Sequence, residues 1–304
     1  MGLDPRNGVL SSESLRSPAD DREKIYDTAP VDQPSPGDPY ITARVYKGKG
    51  GGGGKAPHHK FSPHVAILKQ LDGERAVTPA NAELAAKASE ALSDLQFLDA
   101  SPALLRGYER LGSRRMGDRG EYFASVVKTL SEDPATKDAY LSWLQNLTPT
   151  HVSDLHFFKT ELGEVMFGVK ENGLSEPVPA LSLSDGTLRF AAIAAALFEP
   201  DPPAVLLVEE IENGVNATRL RLLAELLRQR SALGRPQVLV TTHSPLLLAY
   251  LPEELYANIV YVWRDTQDGS TRALPVTEVP HLQEVVKRTP LNELFAQGWM
   301  EAAL

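Results

Sequence analysis

The chain has 304 residues and a formal charge of −9, from 31 basic against 40 acidic side chains. Hydrophobic residues make up 42% and charged residues 23%, the balance of a globular chain, and the net acidity argues against nonspecific nucleic-acid affinity across the whole surface. Cysteine is absent, which excludes disulfides, zinc–thiolate sites, iron–sulfur clusters and thiol nucleophiles and fits a reducing cytoplasm.

The opening stretch MGLDPRNGVLSSESLR has no apolar h-region, so no secretory signal is expected. Arg6 stands where a myristoylation pattern needs Ser or Thr. Residues 1–40 are rich in Asp, Pro and Ser and read as an extended or disordered lead. YITARVY (Tyr40–Tyr46) alternates and predicts a short strand. It runs into KGKGGGGGKAPHHK, a flexible tract. His58, His59 and His64 could ligate a metal, but histidines on such a tract rarely make a defined site.

From Val65 to Leu147 the pattern is helical, with Leu84, Ala88, Leu92 and Leu95 at helical spacing, then Phe123, Val126, Val127 and Leu130. LHFFKTELGEVMFGVKENG (Leu155–Gly173) predicts a β-hairpin. After Ser182 the order is helix, strand, helix, strand. Thr187–Phe198 is an Ala/Leu-rich helix whose apolar run is too short to span a bilayer. AVLLV (Ala204–Val208) and QVLVTT (Gln237–Thr242) read as strands buried on both faces of a parallel sheet. Arg219–Arg230 between them is an amphipathic helix. NIVYVWRD and TRALPVTEV flank a QDGS turn and predict a second hairpin, and a closing helix falls around Asn292–Phe295. A right-handed crossover makes the two apolar strands parallel. Glu209, Glu210 and His243 are therefore expected at one sheet edge, where ligands of open α/β sheets bind.

Three stretches carry chemistry. Glu209 and Glu210 directly follow an apolar strand. One carboxylate could serve Mg²⁺ and the other could polarise a water; a solvated strand end is the alternative. SDG (Ser184–Gly186) opens a helix and offers unpaired N–H groups to an anion, or is a plain N-cap. His243 in TTHSP could sense a γ-phosphate, or is a polar loop residue.

Together, in this order and spacing, these stretches resemble the C-terminal lobe of ABC-type ATPases, and more narrowly the RecF/SMC-like AAA family ATPases of the OLD- and RecF-like group. LSDGTLRF (Leu183–Phe190) resembles the ABC signature, VLLVEEIENG (Val205–Gly214) the Walker B strand with its following loop, and TTHSP (Thr241–Pro245) the switch-histidine loop. LGSRRMGDRGEYFASVV and NELFAQGWMEAAL are also similar to segments of these ATPases, and the likeness covers residues 62–304.

The resemblance implies an α/β fold, the C-terminal lobe of an ABC-type P-loop NTPase with a mostly parallel sheet and flanking helices, plus a helical insertion. It divides the chain into a lead (1–40), a strand, glycine tract and helical insertion (41–154) and the ATPase lobe (155–304). It implies ATP and Mg²⁺, a homodimer or a P-loop-bearing partner chain, DNA as a candidate partner, no membrane, and ATP hydrolysis coupled to DNA maintenance or phage defence. Carried over by position, Ser184 and Gly186, with Asp185 between them, would touch the γ-phosphate of ATP held by a partner. Glu209 would associate with Mg²⁺, Glu210 would be the base and His243 the switch histidine. Asn216 stands near the D-loop, where this chain has VNA in place of the common LHP.

Such ATPases need a P-loop, GxxxxGK[ST], whose amides cradle phosphates and whose hydroxyl binds Mg²⁺. KGGGGGKA (Lys49–Ala56) departs from it at both ends, with Lys49 in place of the first glycine and Ala56 in place of the hydroxyl residue. The expectation is that the phosphate cradle comes from elsewhere, the chain being a truncated product or fragment, one component of a split ATPase, or a P-loop-less, non-catalytic partner, and that part of the sheet lacks a neighbour and exposes an edge.

Overall fold

The computed structural model describes residues 2–3, 10–12, 14–17, 20–28, 40–46, 58–62, 64–71, 78–147 and 152–304. The glycine tract Lys49–Ala56 lies outside them. The chain divides into two units, Met1–Asp94 and Leu95–Leu304.

The first unit holds strands β1 (Gly2–Leu3), β2 (Leu10–Ser12), β3 (Ser14–Ser17), β4 (Asp20–Thr28), β5 (Ile41–Val45) and β6 (His58–Phe61), then helices α1 (Ile67–Gln70) and α2 (Pro79–Ser93). β3 to β6 form one antiparallel sheet in chain order, and β1 pairs with β2. The alternation read in YITARVY is real: Ile41, Ala43 and Val45 are buried, with Ile25, Tyr26, Phe61, Ile67 and Leu68. Strand β4 corrects the expectation of a disordered lead over 1–40. Its Ile25 and Tyr26 are buried, and Tyr26, Asp27 and Thr28 pair with β5. α2 begins at Thr78, whose hydroxyl accepts from the Asn81 amide, with Pro79 in the first turn.

The second unit runs β7 (Leu95–Leu98), α3 (Pro102–Leu105), β8 (Glu109–Arg110), α4 (Phe123–Leu130), α5 (Pro134–Leu147), β9 (Val152–Lys159), β10 (Glu164–Glu171), β11 (Val178–Pro179), α6 (Asp185–Leu197), β12 (Val205–Val208), α7 (Leu220–Ser231), β13 (Gln237–Val240), α8 (Pro245–Ala249), β14 (Val260–Arg264), β15 (Thr271–Pro275), α9 (Leu282–Val285), α10 (Leu291–Ala296) and α11 (Trp299–Ala303). Both predicted hairpins form, β9 with β10 and β14 with β15. The α/β class holds. The parallel part is three strands in the order β13-β12-β7, and the other sheets are antiparallel.

Three expectations need correction. Leu95 does not continue the helix that carries Leu84 and Ala88: α2 ends at Ser93, and Leu95–Leu98 is the third parallel strand. Leu92, in the same apolar series, is 59% exposed, so it packs into no core. The parallel sheet is also not buried on both faces. Phe97 and Leu239 are 62% and 59% exposed, and both lie opposite Leu207 in the register. Helices α4 and α5, expected in a separate insertion, share one core with α6, β10 and β12.

That core is built around α6. Leu188 and Phe190 to Leu197 are all buried, as the unbroken apolar run from Phe190 requires. Ser184 caps its start, accepting from the Thr187 amide at 3.1 Å. Arg230 of α7 closes its end, donating to the Leu197 carbonyl at 3.0 and 2.8 Å. The Tyr140 hydroxyl donates to the Ala191 carbonyl at 3.0 Å, and Phe123 packs on Phe167 with centroids 4.9 Å apart.

Just beyond α6, Glu199 is buried and accepts from the Met116 amide at 2.8 Å. Its second oxygen is buried, with the Arg115 guanidinium 4.0 Å away. Burial pushes its carboxyl up to about 7, against the lowering effect of the Met116 amide and Arg115. A raised carboxyl contributes fully below its unfolded value and loses that contribution as pH rises through about 7. Glu199→Gln should therefore melt near wild type at pH 5 and above it at pH 8, by about 1–3 kcal/mol of unfolding free energy. Thermal melts of both proteins across that range are the check, and parallel curves would contradict it.

Candidate functional site

The parallel register sets the site. Val208 of β12 lies level with Val240 of β13 and Leu98 of β7, so the strands end together. The next residues are Glu209, Thr241 and Asp99. Thr241 extends the ladder by one step, its amide donating to the Val208 carbonyl at 3.1 Å. It then holds the turn that follows β12. Its hydroxyl accepts from the Glu210 amide at 2.9 Å, and its carbonyl accepts from the Ile211 amide at 3.2 Å.

Glu210 has φ 42°, in the left-handed region that L-residues avoid. The buried Ile211 and the two bonds to Thr241 over-determine that geometry. Beyond it the Asn213 amide donates to the Glu210 carbonyl at 2.7 Å, and the Val215 amide to the Glu212 carbonyl at 2.9 Å. Glu209 and Glu210 are both exposed at this turn. Together with Leu98, Asp99, Ala100 and Arg189 they line a shallow cleft.

The TTHSP loop (Thr241–Pro245) is tied to the same turn. Glu212 accepts from the His243 backbone amide at 2.8 Å through Oε1, while its Oε2 is buried with no partner. His243 itself is exposed. The SDG turn sits at the head of α6. Arg106 donates to the Leu183 carbonyl at 2.8 Å and to the Asp185 carboxylate at 2.7 Å. Gly186 lies against Gly214, so the Ser184–Gly186 turn and the loop after the carboxylates touch. Asn216 is exposed two residues further on. The structure thus brings Glu209 and Glu210 into the cleft. Ser184, Asp185, Gly186, Asn216 and His243 lie around it on the adjoining turns rather than in its lining.

Sequence reasoning passed over Thr241 and Glu212, although both stand inside quoted motifs: a hydroxyl just past a strand and an acid two residues beyond Glu210 were the available signals. Arg106 had none, since 79 residues separate it from Asp185. Within RLGSRRMGDR (Arg110–Arg119), Arg114 lies on the Asp201 carboxylate at 2.8 Å and Arg115 on the Asp201 carbonyl at 3.1 Å.

Among the described residues no group of three or more His, Cys, Asp or Glu converges to hold a metal. That holds for His58, His59 and His64 as well. Glu209 fits Mg²⁺ only as one oxygen donor beside phosphate oxygens and water, which is how Mg²⁺ is usually held. Among the described residues no helix is long and apolar enough to cross a membrane.

Residues 119–249 match the family model described as "AAA domain, putative AbiEii toxin, Type IV TA system". This segment is similar to AAA domains. The match takes in less than half of the chain but contains every residue assigned above to the signature, the carboxylate pair, the D-loop and the switch histidine. The resemblance to AAA family ATPases is borne out at this level.

No curated protein matches the chain. Solved structures similar to it include an SMC head bound to the C-winged helix domain of ScpA, at 13% identity and TM-score 0.42, covering 77% of this chain and 67% of that one. The SMC head domain from Thermotoga maritima aligns at 9% identity and TM-score 0.37, over 88% and 74%. The Smc head domain with a coiled coil and joint from Pyrococcus yayanosii aligns at 16% identity and TM-score 0.37, over 54% of this chain and 31% of that one. These likenesses are distant.

The strain at Glu210 gives a prediction independent of function. Glycine tolerates the left-handed region without a Cβ clash, so Glu210→Gly should be neutral to stabilising, by up to about 1 kcal/mol, and Glu210→Val destabilising. Chemical denaturation of the three proteins checks this. A loss of stability in Glu210→Gly would show that the side chain, not the backbone, anchors the turn.

Proposed function

We propose that this chain supplies the hydrolytic half of an ATPase site of the ABC-class AAA type. The observation that supports this best is the turn after β12. Two adjacent carboxylates leave the central strand of a parallel trio, and Thr241 holds the second in a strained backbone conformation. Strain kept at an exposed acid is costly for a solvated strand end and understandable for an aimed one. In this reading Glu210 is the general base that takes a proton from water attacking a phosphoryl group. Glu209 contributes an oxygen to Mg²⁺, whose chemistry is to neutralise phosphate charge. His243, its backbone fixed by Glu212, senses the γ-phosphate. Ser184, Asp185 and Gly186 present the head of α6 to nucleotide held by a second subunit, with Asn216 on the loop between.

The phosphate cradle would come from a polypeptide segment outside these 304 residues, on the same protein or on a partner, since they contain no GxxxxGK[ST]. Coupling to DNA maintenance or phage defence is the process we assign to it, and a homodimer, a P-loop-bearing chain and DNA are the partners to seek. The same missing motif favours one other reading, a non-catalytic subunit that lends only its surfaces.

ATP turnover by the purified chain, and by the assembly that copurifies with it, decides between them. Glu210→Gln should lower turnover by about 10²–10⁴-fold with binding retained, the scale of a lost general base. Unchanged turnover would overturn the assignment of Glu210. Turnover by neither preparation would favour the non-catalytic subunit.

A further inference from the structure

Arg189 lies one turn into α6 and reaches two places at once. A Cβ built on Gly214 would stand 3.1 Å from Arg189 Cδ and 3.6 Å from its Nε, so the arginine stem lies flat on Gly214. Its Nη1 is 3.5 Å from the Asp99 carboxylate, at the end of β7. Asp99 is 77% exposed, which makes that ion pair weak and leaves the stem as the firmer contact. From the other side, a Cβ on Gly186 would overlap the Gly214 carbonyl oxygen. Gly214 has φ 75° and is therefore held by its backbone conformation as well. It sits clamped between the backbone of Gly186 and the stem of Arg189. From Gly214 back to Glu210 the loop is stiff, through the Asn213–Glu210 and Val215–Glu212 backbone bonds.

We propose that Gly186 and Arg189 couple the signature turn to the carboxylate loop within a single chain. A displacement of the first turn of α6 moves Gly214, and through the two backbone bonds it moves the segment that carries Glu210. Both are positioning residues. The functional consequence rests on reading Glu210 as the base: the signature turn would then act on its own chain's carboxylate as well as on nucleotide across an interface. The coupling itself is a property of the chain without nucleotide.

Hydrogen–deuterium exchange of the full chain, free of nucleotide, tests it. The Asn213 and Val215 amides report the loop, and the amides of Ala191–Leu197 report the buried helix as an internal control. Arg189→Ala and Gly186→Ala should raise exchange at the two loop amides about tenfold and leave the helix unchanged. Arg189→Lys, which keeps the aliphatic stem, should restore wild-type exchange. Unchanged loop exchange in Arg189→Ala overturns the proposal. So does equal loss of protection in loop and helix, which would make Arg189 a general structural residue, and so does an Arg189→Lys chain as exposed as Arg189→Ala. If Gly186→Ala does not fold, the Arg189 pair decides alone. No turnover is read, so failure here leaves the nucleotide reading standing, and failure of that reading leaves this coupling standing.

Discussion

The arrangement around the carboxylates depends on the burial of α6. Beyond Arg189 the helix is apolar on every side, so that stretch has no stable position at a surface, and each fully buried Leu, Ile or Phe is worth about 1.5–3 kcal/mol. α6 therefore fixes what surrounds it: α4 and α5 on the helical side, and α7 with the strand β12 that precedes it. Its two ends are then tied by arginines from distant parts of the chain, Arg106 at the head and Arg230 at the tail. A helix held this way leaves the Ser184–Gly186 turn one position, against Gly214. Core packing and site geometry are here the same fact.

Local pattern made much of this legible. The β9–β10 hairpin, α4, α6 and α7 follow from periodicities of two and 3.6, because each buries one clear face or most of itself. β12 and β13 were visible as apolar runs, and the crossover rule made them parallel. β7 was not visible. Its four residues continue the spacing of Leu84, Ala88 and Leu92, and what makes them a strand is pairing with β12 more than a hundred residues away. A window of local sequence contains no trace of that partner. The same holds for Arg106 and for the buried Glu199, whose environment is assembled from α6, β7 and the loop at Met116.

The two misjudged surfaces have a common cause. An apolar run such as QVLV predicts burial, but burial belongs to the neighbours and not to the run. Leu239 and Phe97 flank Leu207 in register and stay more than half exposed. In the lead, composition pointed the other way: Asp and Pro predict an unpaired chain, yet Ile25 and Tyr26 suffice to bury the end of β4 beside β5. Composition reports an average, and a strand needs only two well-placed side chains and a free edge.

The charge of the cleft explains why half a site is the economical reading. Glu209, Glu210 and Asp99 face it together with Arg189. Three carboxylates against one guanidinium favour a cation and repel a bare polyphosphate. The head of α6 offers backbone N–H groups, but Asp185 stands in its first turn, held there by Arg106. Neither element is built to grip phosphates alone. Both suit a phosphate chain that arrives already neutralised, by Mg²⁺ and by amides of another polypeptide segment. On the proposed reading the carboxylate turn would supply the chemistry and another polypeptide segment the grip.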